Sequence, residues 1–341
     1  MRVILATTFV PFVRGGADLI VEWLETMLVR AGHEVEVFRF PFDSNPPDML
    51  EQMLALRLLD VSGRGDRLIA IRTPSYLVRH PNKVLWFIHH HRAAYDLWGT
   101  CYGMPADDPE AQGYRDAFRN ADNAAFGEAA RIFTNSRVVS RRLEEFNGVA
   151  SEVLYPPLLD AGRYRPGPYG DYFLYVSRMV PHKRQHLAVE AMRHTRTPVR
   201  LVVAGAAGSR PYLEELHALA PEGRVEILDR WLAEERKIEL IAGSLGGIYC
   251  PFDEDSYGYA TLEMQHAAKA VVVTSDSGGP LELIEDGVNG LVVEPEPEAL
   301  AAAMDRLYED RAEARRMGEA APARIAALGI SWERVLARLL A

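Results

Sequence analysis

Cysteine is nearly missing from this chain. Its 341 residues hold two, Cys101 and Cys250, far apart and in no CxxC pattern. A structural disulfide is therefore not expected, and a reducing compartment is. Positive charge is in deficit. The formal net charge of −10 argues against a broad nucleic-acid surface. Lysine is scarcer still: Lys83, Lys183, Lys237 and Lys269 are the only four in a Lys plus Arg total of 38, a bias read as genomic. No apolar run approaches the ~20 residues that a membrane span needs. The opening "MRVILATTFVPF" lacks the layout of a secretory leader. The expectation is a cytoplasmic protein, with peripheral contact at the inner face of a membrane left open. No repeat of about 20–50 residues is visible, which excludes a solenoid.

What is present is an ordinary globular composition, 48% hydrophobic and 25% charged, on a length that suits two domains of about 150 residues each. "RVILAT" (2–7) is a short apolar run. A glycine turn, "VRGGAD", follows it. Leu19, Ile20, Trp23, Leu24, Met27 and Leu28 then recur at helical spacing until Gly32. "EVEVFRF" (34–40) alternates and reads as a strand. That is a βαβ unit, which predicts a parallel sheet covered by helices. "RLIAIR" (67–72), "VLWFI" (84–88) and "RIFTN" (131–135) read as further buried strands. Residues 96–127 mix Gly, Pro and acids with weak periodicity, and loops with short helices are expected there. Proline and glycine cluster in "YPPLLDAGRYRPGPYGD" (155–171), the best linker candidate. It separates domains at 1–157 and 158–330. The second alternates again, from "YFLYVS" (172–177) to "GLVVEP" (290–295). Two doubly wound α/β domains facing across a cleft fit this order, with ligands beyond the carboxyl ends of the strands.

Several stretches carry chemistry. "DEDSYGYATLEMQHA" (253–267) follows a strand, "GGIYCPF". Asp253–Gly258 reads as a loop and Tyr259 onward as a helix, with Glu263 in its second turn. Amides near Gly258–Ala260 would favour a phosphate, and Asp255 and Glu263 could accept from hydroxyls on either side of it. A solvated acidic loop before an ordinary helix explains the same letters. Asp253-Glu254-Asp255 also matches the acidic triplet that holds a divalent metal against a diphosphate, a pattern frequent by chance. Glu263 and His266 lie three apart, as in a di-iron helix; no second copy exists, and core packing suits His266 better. Arg178 and Lys183 lie at a strand exit, where a guanidinium fork and an ammonium could clamp a diphosphate. "RGGAD" (14–18) allows close backbone approach, although it is not GxGxxG. His89, His90 and His91 follow a buried strand. Neighbours in an extended chain point opposite ways, so one functional imidazole, His89, is preferred over a metal cluster. Gly278 and Gly279 could bring amides to a ligand, with Glu282 a turn further on.

Taken together these motifs resemble the retaining family-4 glycosyltransferases of the GT-B fold. Asp255 and Glu263 resemble that family's E-x7-E pair. Gly15-Gly16, the histidine after the fourth strand, Arg178 with Lys183, Ser277-Gly278-Gly279 with Glu282, "DGVNGLVV" and a final "ISWERVLARLL" keep the family's order over most of the chain. "YPP" and "HKR" resemble a subset that includes mannosyltransferases. By resemblance, Arg178 and Lys183 bind the donor diphosphate and Glu263 accepts from the ribose hydroxyls. Asp255, Ser256, Tyr257 and Gly258 line the sugar, and Tyr259 belongs to the same nucleotide-sugar set. Gly15 and Gly16 approach the phosphates, and His89 contacts the sugar or supports the transition state. "LDRW" (228–231) lies where the family's base-binding backbone runs. The last helix, from about Ser331, returns to the first domain.

Two positions depart from the family. Asp255 stands where Glu is usual, one methylene shorter, and Ser256 replaces the usual Gly. The resemblance implies transfer of a hexose-like sugar, with mannose a candidate, from a UDP- or GDP-linked donor to an acceptor hydroxyl with retention. No metal or other cofactor is expected, and neither is a covalent intermediate. The acceptor class stays open among glycan, lipid-linked and small-molecule hydroxyls. Residues 96–127 and "RVVSRRLEEF" (137–146) are expected to define it. Arg137, Arg141 and Arg142 read as a solvated helix face or, second, as a contact for anionic lipid. A sugar-nucleotide epimerase and a non-catalytic nucleotide-sugar-binding protein are the competing functions.

Overall fold

The computed structural model describes residues 1–12 and 15–341; Val13 and Arg14 of the expected glycine turn lie outside the described residues. The chain divides into two units, Met1–Leu159 with Ile330–Ala341, and Asp160–Gly329.

The first unit runs β1 (Arg2–Phe9), α1 (Gly16–Arg30), β2 (Glu34–Pro41), α2 (Pro46–Leu58), β3 (Arg67–Ala70), β4 (Lys83–Phe87), α3 (Pro109–Gly127), β5 (Arg131–Thr134), α4 (Arg137–Asn147) and β6 (Glu152–Val153). Its sheet is ordered β2-β1-β3-β4-β5-β6, and its pairings are parallel. β3 and β4 are buried on both faces, so after their leading Arg67 and Lys83 their sequences are unbroken apolar runs rather than alternating ones. β2 is an edge strand, half exposed, and alternates. α1 buries Ile20, Leu24 and Leu28, spaced by four.

The second unit runs β7 (Tyr172–Val176), α5 (Gln185–Ala191), β8 (Arg200–Gly205), α6 (Arg210–Leu219), β9 (Val225–Asp229), α7 (Glu234–Gly243), β10 (Gly246–Ile248), α8 (Tyr259–His266), β11 (Val271–Thr274), α9 (Pro280–Leu283), β12 (Gly290–Val293), α10 (Pro297–Glu309) and α11 (Arg311–Ala327). Its parallel sheet is ordered β12-β11-β10-β7-β8-β9. The chain winds outward through β8 and β9, then returns to the other side of β7 with β10. The order therefore reverses between β7 and β10. At such a point the connections leave in opposite directions and open a crevice at the strand ends.

α12 (Trp332–Leu340) packs in the first unit. Its Ser331 cap accepts from the Arg334 amide. Trp332 donates to the Leu158 carbonyl at 2.8 Å and meets Trp86 edge-on. Arg67 donates to the Leu339 and Ala341 carbonyls at the other end, satisfying groups that a helix C-terminus leaves open.

Two expectations change. Residues 109–127 are one 19-residue helix, α3, rather than loops and short helices. Asp108 caps it by accepting from the Glu110 amide, and Pro109 supplies a preset first position. Its Asp122 is buried and accepts from Tyr76 and Tyr95 at 2.7 Å each. Arg142 is neither solvated nor available to lipid. It is buried on α4 and paired with the equally buried Asp96 at 3.4 Å, while Arg137 and Arg141 are exposed. The Pro/Gly stretch does contain the division between the units, at Leu159 and Asp160, and both of its ends are anchored. Residues 154–158 are buried, and Lys269 donates to the Gly167 and Pro168 carbonyls. Among the described residues, no helix is long and apolar enough to cross a membrane.

Candidate functional site

The second unit collects charged side chains where its strand order reverses. Lys183 follows β7 and is half-buried, its side chain 13% exposed. Its ammonium donates to the Tyr249 hydroxyl at 2.9 Å and to the Glu254 carboxylate; both partners come from the chain after β10. Burial alone would lower the Lys183 pKa, but Glu254 and Tyr249 beside it raise it on balance, so it is a cation at any physiological pH. Arg178, five residues before it, is exposed and has no ion-pair partner among the described residues.

The loops carrying these groups are fixed by Arg184. Its guanidinium forks onto Asp276 at 2.6 and 2.7 Å and also donates to the Cys250 and Pro251 carbonyls and the Thr274 hydroxyl. One planar cation thus joins the exits of β7, β10 and β11. Gly258 closes the loop at φ +69°, and a Cβ there would stand 2.6 Å from the Tyr249 ring. Glycine is required on both counts, because Tyr249 must reach Lys183.

The remaining expected residues fall as follows. Asp255 is buried in the loop before α8, and Tyr257 is buried beside it. Ser256 accepts from the Gly258 amide at 3.4 Å. Tyr259 begins α8. Glu263 is 1% exposed. Its carboxylate accepts from Lys237 on α7 at 2.6 Å, so the acid expected to await a ribose already has a protein partner. Burial pushes its pKa up and Lys237 pulls it back, with the net upward. Glu254, the middle acid of the triplet, is the counter-ion of Lys183. Among the described residues no group of three or more His, Cys, Asp or Glu is arranged to hold a metal ion.

Gly278 and Gly279 serve a different end from the expected one. The Gly279 amide donates to the Glu254 carbonyl at 2.8 Å, and a Cβ on either glycine would collide with the backbone of residues 253–256. These glycines let two loops pack backbone to backbone. Ser277 is buried and bonded to Thr274, and Glu282 opens α9.

In the first unit, Gly15 caps α1 and its amide donates to Asp18 at 2.9 Å. Asp18 in turn pairs with Arg72, which also donates to the Thr8 carbonyl. Among the described residues nothing stands within 4 Å of a Cβ built on Gly15; Gly16 is the first helical residue. His89 donates from Nδ1 to the His90 carbonyl at 2.6 Å. His90 is core, its ring beside Tyr95 and bonded to Asn147. His91 packs on Phe118 and burial drops its pKa to about 4. The three imidazoles therefore go to three surroundings.

Residues 168–324, nearly all of the second unit, match the family described as glycosyl transferases group 1. The C-terminal unit is a group 1 glycosyl transferase domain. The chain is 26% identical over 394 residues to D-inositol 3-phosphate glycosyltransferase of Xylanimonas cellulosilytica, covering 96% of this chain and 90% of that one. It is 28% identical over 230 residues to the GDP-mannose-dependent alpha-(1-6)-phosphatidylinositol monomannoside mannosyltransferase of Mycobacterium tuberculosis, covering 61% and 59%. Anabaena Alr3699/HepE, solved with UDP and glucose, shares the fold at a TM-score of 0.70 with 21% identity, over 99% of this chain and 100% of that one. These findings support a family-4 glycosyltransferase of GT-B fold, and a hexosyltransferase by enzyme class. In this glycosyltransferase the sequence pointed to Arg178, Lys183, Asp255 and Glu263. It missed Tyr249, Glu254, Arg184 and Lys237, whose partners lie 26 to 92 residues away.

Proposed function

We propose that the chain is a retaining hexosyltransferase that binds a nucleotide-diphosphate sugar in its C-terminal unit and passes the sugar to an acceptor hydroxyl. One observation carries the reading: a half-buried, permanently charged Lys183 stands where β7 and β10 diverge, with the exposed Arg178 five residues before it. That is where an α/β sheet receives a ligand. A diphosphate there would gain an ammonium, a guanidinium fork and the first amides of α8.

In this mechanism the bond from the anomeric carbon to the β-phosphate oxygen breaks. The acceptor oxygen bonds to the same face, and a β-phosphate oxygen takes the acceptor proton. The protein's task is to stabilise charge growing on the departing diphosphate, which Lys183 and Arg178 do. Asp255 is assigned to the sugar and Glu263 to the ribose. His89, Gly15 and Gly16 keep the roles implied by resemblance. The mannosyltransferase relative makes GDP-mannose the first donor to try, and the UDP and glucose in HepE make UDP-glucose the second.

The test is turnover of GDP-mannose, UDP-glucose and ADP-glucose by wild type and Lys183→Ala. Loss of the ammonium should lower kcat/KM by about 100-fold or more. Near-normal turnover would reject the clamp. Inversion at the anomeric carbon, read by NMR of the product, would reject retention, and an epimer formed from donor alone would point to epimerisation.

A further inference from the structure

Lys237 is an unusual residue for its place. It lies on α7, and its side chain is 12% exposed. Its ammonium contacts Glu263 at 2.6 Å and Glu234 at 3.0 Å. The hydroxyl of Tyr164 donates to Glu234, and the Tyr164 ring lies 5.8 Å from the ammonium. A lysine is rarely buried unless paired, and the better partner here is Glu263, the shorter and more deeply buried contact. An apolar residue at this position would cover α8 equally well without desolvating a charge. The geometry therefore asks what a cation achieves that a methyl group would not.

We propose that Lys237 is a positioning residue for donor recognition, its buried ammonium holding the Glu263 carboxylate charged and oriented for the ribose hydroxyls. The proposal rests on the reading above in which Glu263 meets the ribose. A charged carboxylate accepts a hydroxyl far better than a neutral acid does, and burial on its own drives Glu263 toward the neutral form. The groups set against Glu263 are Lys237 and Glu234 from α7, Tyr164 from the segment before β7, and Tyr259 from α8 itself. Strands β10 and β11 beneath α8 carry no ionisable side chain. α9 carries Glu282, and α11 meets the end of α8 at Gly318 against the Ala268 carbonyl. Lys237 is the cation bonded to Glu263, and Glu234 competes for it.

The experiment measures binding of UDP and of 2′,3′-dideoxy-UDP by calorimetry at about pH 6 and about pH 8, with GDP and its dideoxy form in parallel. Wild type should prefer the intact ribose about tenfold, equally at both pH values. Lys237→Met should lose most of that preference at the lower pH and regain part of it at the higher, and Lys237→Arg should restore a flat profile. A folded Lys237→Met with the full preference at both pH values overturns the proposal. Lys237→Gln is the second variant, in case methionine compromises folding. A wild-type preference that collapses at the lower pH overturns the proposal without any variant. Wild type with no preference at either pH instead rejects the ribose role of Glu263, a separate failure. Thermal melting of each variant reports a purely structural effect, which would move the midpoint and leave the pH profile of the preference flat.

Discussion

Replacing Glu254 with Gln should weaken the fold and strengthen the hold on nucleotide. Glu254 and Lys183 are 14% and 13% exposed at the side chain, so the pair is only lightly screened. A charge pair near 4 Å is worth about 4 kcal/mol at an effective dielectric of about 20. The amide keeps one hydrogen bond, about 1 kcal/mol, and Tyr249 stays on the ammonium at 2.9 Å. The expected loss of stability is therefore about 2–3 kcal/mol, or roughly 4–12 °C for a unit of this size. The same charge is what a diphosphate must displace to reach Lys183. Freed of its resident carboxylate, the ammonium should bind UDP or GDP about tenfold more tightly or better, where each tenfold is about 1.4 kcal/mol. The gain should shrink with added salt. Differential scanning fluorimetry and titration calorimetry on wild type and Glu254→Gln give both quantities. Weaker nucleotide binding together with a lower melting point would refute the reasoning. It would show that Glu254 aims Lys183 rather than holding its place.

Two further outcomes concern the first unit. Burial pushes Asp122 up to about 6 from its ordinary 3.8, against the pull of the Tyr95 and Tyr76 hydroxyls. A raised carboxyl binds its proton more tightly in the folded state, so its contribution is complete below about pH 3.8 and is lost as pH rises through about 6. Asp122→Asn should therefore gain on wild type by up to about 3 kcal/mol between pH 4 and pH 7 in urea unfolding, and a constant difference across that range would refute the assignment. Deleting residues 331–341 removes the buried Trp332, Val335 and Leu339. Core truncations of this kind are worth about 2–5 kcal/mol each. The first unit should lose its cooperative transition while the glycosyl transferase domain keeps its own, as read by thermal circular dichroism; a single unshifted transition would contradict the placement of α12.

The strands were legible because buried parallel strands must be apolar on both faces. "LIA", "VLWF" and "VVV" within them can be little else. α2 escaped notice because its apolar residues do not keep to one face. Met49, Met53 and Leu56 are buried, whereas Leu54 and Leu58 point to solvent. α3 escaped because its inward face includes Asp122, an acid that only the two tyrosines make tolerable. At the site, positions could be read but pairings could not. A lysine carries no mark of which carboxylate it will meet, and Lys183 finds Glu254 71 residues on only because β10 returns beside β7. The adjacent glycines of the Ser277 segment illustrate the same limit. Small residues signal close approach, but not whether a ligand or the protein's own backbone does the approaching.

The four lysines end in similar circumstances. Lys83 and Lys269 are fully buried and bonded to backbone carbonyls, and Lys83, Lys183 and Lys237 are tied to carboxylates. Most of the solvent-facing cations are arginines, although Arg67 and Arg142 are buried. Acylating reagents applied to the intact protein would accordingly find the terminal amine first, and each internal amine only after a local opening. The rate at which each of the four is tagged becomes a gauge of breathing at its own spot. At Lys183 and Lys237 that gauge sits inside the region to which the nucleotide is assigned, so an occupied protein should be tagged more slowly there and unchanged at Lys83.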